Sequence, residues 1–333
     1  MHISEHLCPI AIVVPVRGKG GVIERSLASL SLAVARCPGA VLVLVDNNRE
    51  GEDSSVLNPF RQTALIVPSS ARTVGGVRND GVRWLSVTAK FLAFVDCDCV
   101  VPQSFCSDVI RTFADTSAMI VGSRVVCPPD GHWTEIAHDN LHREVGDGPR
   151  KHLNSGCMAV RASAFATVGG FSDTLPANED YDLCSRVRAI GGSIWQAEIL
   201  TAVHLGNPKS IGSFCRRLMW HGRGAMREDG SLDLSAMLVA TLSHAVVVST
   251  GTVLCIVFLC RGMFLYGLMT LSVACMTVPI AFWLSRVIQY RRWISFIPSV
   301  ALMFLTFASR LSGLLLQFFS VQALRRSGGT IPS

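Results

Sequence analysis

Residues 91–101, FLAFVDCDCVV, alternate two carboxylates, Asp96 and Asp98, with two thiols, Cys97 and Cys99. Carboxylates suit a hard divalent cation such as Mg²⁺ or Mn²⁺, whereas thiolates suit zinc or redox exchange. A thiolate site needs further Cys or His ligands at short spacing. The nearest, Cys106, falls on an expected helix, so the carboxylates are the pair with chemistry. If the segment stays extended, alternation puts Asp96 and Asp98 on one side and the cysteines on the other. A second acidic group lies in NEDYDLCSR, residues 178–186, with Glu179, Asp180 and Asp182 at the start of an expected helix Tyr181–Ile190. From the residues alone these acids, with Asn178, cap and charge that helix, where acids are favoured in any case.

The elements that must position these groups are short apolar strands alternating with helix-like stretches. IAIVVPV (10–16), VLVLVD (41–46), ALIV (64–67) and FLAFVD (91–96) read as strands. VIERSLASLSLAVARC (22–37) and VGGVRNDGVRWLSVTA (74–89) read as helices, the second weakened by its glycines, and a third is expected over Pro102–Asp115. Continuous apolar runs such as 41–46 are expected of parallel strands covered on both faces. The alternation predicts an α/β layered domain with a mostly parallel sheet flanked by helices. Ligands of such sheets bind beyond the carboxyl ends of the strands. The polar residues there are Arg17, Asp46, Asn47, Asn48, Asp96 and Asp98.

Charge is distributed unevenly. The chain of 333 residues is 50% hydrophobic and 16% charged, with a formal net charge of +6. Residues 234–333 contain no Asp or Glu and seven arginines (Arg261, Arg286, Arg291, Arg292, Arg310, Arg325 and Arg326), which leaves 23 basic against 24 acidic residues in 1–233. The positive excess therefore belongs to an apolar tail, which argues for a membrane surface and against nucleic acid. Residues 234–260 and 263–284 are apolar runs of bilayer-spanning length, and 294–320 is a third that carries Arg310 inside it. By the positive-inside rule SRVIQYRR, 285–292, faces the cytoplasm, and so do residues 1–233. A straight third span would put Arg325 and Arg326 outside, and a hairpin or interfacial helix broken near Arg310 would avoid this. MHISEHLCP has no secretory signal character. Twelve cysteines without CxxC spacing read as reduced, mostly packed thiols.

Taken in order, IAIVVPVRGKGGVIERSLASL, VLVLVDNN, ARTVGGVRNDGVRWL, FLAFVDCDCVVP, LNSGCMAVRASAFATVGGFSD and ANEDYDLCSRVRAIGG resemble a family 2 glycosyltransferase of the GT-A type, over roughly residues 10–225. The resemblance implies a nucleotide-sugar site. Pro15 and Arg17 would lie against the nucleotide and Asp46 against the base, with Arg78 and Asn79 nearby. Asp96 and Asp98 would be the DxD pair that holds Mg²⁺ or Mn²⁺, with Asp98 the direct ligand. Inverting transfer needs a base for the acceptor hydroxyl, and the resemblance assigns this to Asp180, with Glu179 as the alternative and Asp182 behind it. His204 matches a position near the diphosphate or metal, and Arg217 or Arg223 could pair with the diphosphate. SFCRRLMWHGRG (213–224) lacks the glutamine and the Arg–Trp order of processive relatives. It reads equally as an interfacial helix. His138 and His142 are four apart without a third ligand, and HWTEIAHDNLHREVGDGP (132–149) is expected to face the acceptor, with Trp133 stacking or packing.

The sequence therefore predicts a cytoplasmic GT-A domain over 1–206, a basic interfacial linker over 207–233, two or three transmembrane helices over 234–322 and a tail over 323–333. The expected activity is metal-dependent inverting transfer from an NDP-sugar, with UDP the expected nucleotide. The acceptor would be a lipid-linked glycan, a glycolipid or a polysaccharide at a bacterial inner or plasma membrane. The alternatives are transfer onto polyprenyl phosphate, or a non-catalytic binding module of the same fold.

Overall fold

The computed structural model describes residues 8–85, 88–142, 146–175, 177–223, 236–290 and 293–327. Most of MHISEHLCP, read above as lacking a signal, lies outside the described residues, as do positions 224–233 of the linker, Arg291, Arg292 and tail residues 328–333. The chain divides into two compact units, Met1–Pro128 with Glu144–Asn207, and Pro129–Arg143 with Pro208–Ser333.

The first unit is built on β1 (Cys8–Val16), β2 (Val41–Asp46), β3 (Leu65–Pro68) and β4 (Ala89–Val95). These four are mutually parallel in the order β3-β2-β1-β4. The remaining strands are β5 (Cys99–Val100), β6 (Ile120–Gly122), β7 (Val125–Val126), β8 (Gly148–Pro149), β9 (Cys157–Arg161), β10 (Ile194–Gln196) and β11 (Ala202–His204). Among the described residues β9, β6, β10 and β8 continue the large sheet, with β9 antiparallel to both β4 and β6, while β5, β11 and β7 form a small second sheet. Helices α1 (Gly21–Ala35), α2 (Val74–Arg83), α3 (Phe105–Asp115), α5 (Ala162–Thr167) and α6 (Glu179–Ala189) cover the faces; α4 (Trp133–His142) belongs to the other unit. This is a GT-A-type layered fold.

Period-2 alternation sorts β1 between two cores. Ile10, Ile12, Val14 and Val16 join Leu27 and Leu30 of α1 and Val109 and Phe113 of α3. Ala11 and Val13 join Val77 of α2, Phe165 of α5 and Leu183 and Val187 of α6. Burial on both faces explains why these strands read as unbroken apolar runs.

The expected helix over 74–89 ends at Arg83, because Ala89 is taken into the β1–β4 ladder opposite Cys8. Its glycines have a packing reason. A Cβ on Gly81 would stand 2.5 Å from Val13 Cγ1 and 2.6 Å from Val45 Cγ2, so a bare backbone lets α2 lie close on the sheet. The stretch IWQAEILTAVH is not one strand, since a 3₁₀ turn at Glu198–Leu200 divides it between the two sheets.

The second unit holds α4, α7 (Ile211–Arg223), α8 (Ala236–Cys260), α9 (Phe264–Tyr290) and α10 (Phe296–Ser327). The segment expected to face the acceptor is thus helical over Trp133–His142 and packs with this unit. The His132 amide donates to Glu135 Oε2 at 2.7 Å to close its first turn. The side chain of His142 lies outside the described residues, and with it the His138–His142 pairing. By length and composition α8, α9 and α10 could each cross a bilayer. α10 runs unbroken through Arg310.

Gly81→Ala is expected to destabilise the protein by about 1–3 kcal/mol, the usual cost of overpacking a close contact. A thermal melt of the detergent-solubilised chain, unchanged within error for this variant, would show that α2 can move off the sheet freely.

Candidate active site

The polar groups at the strand ends are held by one buried cation. Arg78 projects from α2 and is 1% exposed. One terminal nitrogen donates to Glu179 Oε1 at 2.8 Å and the other to Asp96 Oδ1 at 2.6 Å. Its guanidinium carbon lies 5.4 Å from the centroid of the Phe171 ring. Burial acts to lower the pKa of the guanidinium, but Asp96 and then Glu179 outweigh it and hold the arginine more firmly charged than usual. Two chain segments, 18 and 101 positions along from Arg78, are tied to α2 in this way at one point.

The carboxylates of the DCD stretch do not stay on one side. β4 ends at Val95, and a turn closed by the Cys99 amide on the Asp96 carbonyl at 3.0 Å follows it. Ser26 of α1 supports the turn, donating to the Cys99 carbonyl at 2.6 Å. The expectation of a shared face assumed an extended strand, and the turn removes it. Asp96 points back to Arg78, while Asp98 faces His204, with 3.2 Å between Oδ2 and Nε2. The two acids therefore have separate partners, Arg78 for Asp96 and His204 for Asp98.

Among the described residues, Asp98, Cys99 and His204 are a group whose potential ligand atoms all lie within 4.8 Å of one another. The donor set decides which ion fits. Burial, then Asp96 and Asp98, push the Cys99 thiol far above its ordinary value, and burial followed by Asp98 pushes Cys97 up to about 12. Burial thus favours both thiols in their neutral form, and Cys99 Sγ donates to Asp98 Oδ1 at 3.8 Å.

The histidine is fixed by a residue that the sequence reading did not single out. Asn207 donates from Nδ2 to the His204 carbonyl at 3.3 Å, which turns its Oδ1 toward His204 Nδ1 at 2.6 Å. Nδ1 must then carry a proton. Nε2 is left either protonated against the Asp98 carboxylate or offering a lone pair to a cation shared with it. The Asp98 carboxylate oxygen suits Mn²⁺ or Mg²⁺, and the amide behind the histidine is the orienting group that imidazole ligands use. Gly206 completes the cradle, since any Cβ there would run into the Asp98 carboxylate. The residues present fit a divalent ion held by Asp98 and His204. The signal was legible only as HLGN following a short strand.

The acids of α6 are set by backbone geometry. Asn178 adopts φ 64°, ψ 23°, the sole non-glycine positive φ among the described residues, and turns the chain into the helix so that Glu179 and Asp180 open it. Asparagine tolerates this left-handed conformation. Glu179 is buried on Arg78 and also accepts from Ser155 Oγ at 3.2 Å, so it is a scaffold. Asp180 accepts from the amides of Tyr181 at 2.7 Å and Ser155 at 3.3 Å. Burial, then the charge of Glu179, raise its pKa above the usual aspartate value. Asp182 is paired with Arg186 at 2.6 Å along the helix.

The other expected contacts are distributed as follows. Asn79 is buried and fully used, donating to the Phe171 carbonyl at 2.8 Å and accepting from the Phe171 amide at 3.0 Å. It clamps the GGFSD loop and, with Arg78, positions the site from behind instead of presenting groups to a nucleotide. Pro15 lies within β1 opposite Val45, and Asp46 ends β2, accepting from the Asn48 amide at 3.1 Å. Arg17 is exposed and lies 3.3 Å from Glu52. Arg217 is exposed on α7 in the second unit.

Residues 11–169 match the family model described as Glycosyl transferase family 2. That part of the chain belongs to glycosyl transferase family 2. The chain is 23% identical over 258 residues to the pre-mycofactocin glycosyltransferase of Mycobacterium tuberculosis, an alignment covering 73% of this chain and 53% of that protein. It is also 23% identical over 228 residues to the succinoglycan biosynthesis protein ExoA of Rhizobium meliloti, covering 64% and 68%. The chain thus spans about half the length of the mycobacterial relative. Among solved structures, mannosyltransferase PcManGT from Pyrobaculum calidifontis, in complex with GDP-Man and Mn²⁺, shares the fold with a TM-score of 0.54 at 14% identity, over 93% of this chain and 87% of that one. The matched segment of the family 2 domain holds Arg78, Asp96 and Asp98. Glu179, Asp180 and His204 come from beyond it, brought in by the Arg78 bridge and the small sheet.

Replacing Arg78 by methionine strands two carboxylates, and is expected to destabilise the protein by about 3–5 kcal/mol. Lysine should rescue only part of this, because an ammonium lacks the planar fork that reaches both acids. Equal melting temperatures for Arg78→Met and the parent chain would remove the bridge from its scaffold role.

Proposed function

We propose that the chain is a membrane-bound glycosyltransferase that moves a sugar from a nucleoside diphosphate sugar to an acceptor presented at the membrane, with inversion and with help from Mn²⁺ or Mg²⁺. The observation that supports this reading is the Asp98–His204 pair on the segment after β4, together with Asp180, whose neighbour Glu179 is tied through Arg78 to Asp96 on that same segment.

In this reading Asp98 and His204 hold the ion. When bound, it neutralises the charge that develops on the diphosphate as the glycosidic bond breaks. The strand-end loops carrying Pro15, Arg17 and Asp46 receive the nucleotide, and UDP is the expected one. Asp180, its carboxylate aimed by the amides of Ser155 and Tyr181, takes the proton from the acceptor hydroxyl as the acceptor oxygen bonds to the anomeric carbon. The bond to the diphosphate breaks on the opposite face, so a single displacement inverts the centre. Burial beside Glu179 keeps Asp180 basic enough for this task. The membrane helices favour a lipid-borne acceptor, a lipid-linked glycan or a glycolipid, because tethering raises the effective concentration of catalyst at the bilayer. The names of the relatives, which concern glycosylation and polysaccharide formation, agree with this class.

The test is nucleotide release by the detergent-solubilised chain from a panel of NDP-sugars, with membrane lipid extract as acceptor and with or without Mn²⁺. Release from one donor should require the ion and fall at least about 100-fold in Asp98→Ala and in Asp180→Asn, the usual range for a lost catalytic group. Donor binding without release from any donor would instead make the domain a binding module and Asp180 a helix cap.

The pH profile carries its own expectation. Asp180 acts only when ionised, so activity is lost as pH falls through its pKa. Because that pKa is raised, the acid limb of kcat/KM should lie above the ordinary aspartate value of about 3.9. A limb at or below that value would mean that another group is the base.

A further inference from the structure

We infer that the membrane is crossed twice, by the α8–α9 hairpin, and that α10 lies across the open end of that hairpin, in the headgroup layer where α8 begins and α9 ends. This rests on the reading that α8 and α9 span a bilayer.

The three apolar helices are exposed differently. Within their most apolar stretches 17% of α8 and 22% of α9 is buried in the protein, but 50% of α10 is. α9 offers apolar side chains such as Leu265, Tyr266, Met269, Val273 and Ile280 over a broad surface. α10 keeps exposed apolar residues toward its ends, Ile297, Leu315, Leu316, Phe318 and Phe319, while Leu302, Met303, Thr306 and Phe307 at its middle are covered.

The contacts fix the crossing. Trp283, near the end of α9, packs on Phe296 with ring centroids 4.9 Å apart and donates from Nε1 to the Ile294 carbonyl at 3.0 Å. An antiparallel third span starting there would bring Phe307 level with Ser272, about 15 Å deeper along α9. Instead Phe307 meets Phe282, with centroids 5.9 Å apart. Phe304 and Phe307 also meet His244 at 5.7 and 5.3 Å, and Leu314 packs on Leu238, the third residue of α8. These partners lie in the first turns of α8 and the last turns of α9, the two ends that an antiparallel hairpin brings to one bilayer edge. Deeper in the hairpin α9 packs on α8, with Ala274 against Gly251 and Gly267 against Cys255.

A second helix bars α10 from the hydrocarbon. α7 crosses it backbone to backbone, Gly222 on Arg310 and Gly313 on Met219. The outward face of α7 carries Arg216, Arg217, Trp220 and Arg223, and the helix has no acid. Arg310 is the fifteenth residue of α10 counted from Phe296. In a spanning α10 it would sit near the bilayer centre and draw the arginines of α7 in with it, at a cost of several kcal/mol. In the headgroup layer the same arginines meet lipid phosphates and Trp220 sits at its favoured depth. The two-span arrangement also keeps Arg286, Arg325 and Arg326 on one side, as the positive-inside rule requires.

The experiment uses the full chain with alkaline phosphatase, active only beyond the membrane, or a fluorescent protein, bright only on the near side, inserted at Gly262 or fused after Ser333. Phosphatase activity at Gly262 and its loss after Ser333, with fluorescence reversed, is the expected pattern. Phosphatase activity at both positions would overturn the inference and make α10 a third span. Fluorescence at Gly262 would instead sink the hairpin itself, and the inference with it.

Discussion

A guanidinium buried to 1% exposure between two carboxylates is the constraint on which the rest of the catalytic unit depends. Such a group is tolerable in a protein interior only if its charge is matched and its donors are satisfied. Arg78 meets that demand by reaching Asp96 after β4 and Glu179 at the start of α6, so the electrostatics of one side chain fix the positions of two loops. Asp98 and Asp180 are each within two residues of an acid bound to Arg78. The division of labour follows from solvation. The acid that faces Arg78 is bound to it, and its neighbour turns to other partners, His204 for Asp98 and the Ser155 and Tyr181 amides for Asp180.

The same logic separates the two halves of the metal cradle. Asp98 comes from the turn after β4 and His204 from β11, which pairs with β5 in the small second sheet. The ladder bonds of that sheet set the distance between carboxylate and imidazole, and Asn207 sets the ring's tautomer. Gly206 is required because the two segments approach more closely than a side chain allows. None of these supports carries charge, yet each determines what the charged groups can hold.

In the second unit the decisive constraint is the burial of polar backbone and side chains near lipid. Hydrophobic length makes three helices equivalent candidates for a span, but packing makes them unequal. The close α7–α10 crossing at Gly222 and Gly313 uses the face of α10 that a third span would have turned to a neighbouring transmembrane helix.

Much was legible from the residues alone. Unbroken apolar runs such as VLVLVD could only be strands covered on both faces, and strand–helix alternation dictated a parallel sheet with polar residues at its open end. The absence of acids after Leu234 marked the membrane segment. These features were readable because burial and period are local properties of the chain. Which acid scaffolds and which acts was not local. Asp96 and Asp98 are chemically identical in sequence, and only the turn after Val95 and the arrival of Arg78 and His204 from elsewhere gave them different partners. The role of Asn79 as a clamp, the use of Asn207 to aim an imidazole, and the crossing of α10 over the hairpin were likewise decided by contacts between distant segments. Sequence set the solvation preferences of each residue; the tertiary fold decided which preferences were satisfied within the protein and which were left for a ligand or a membrane.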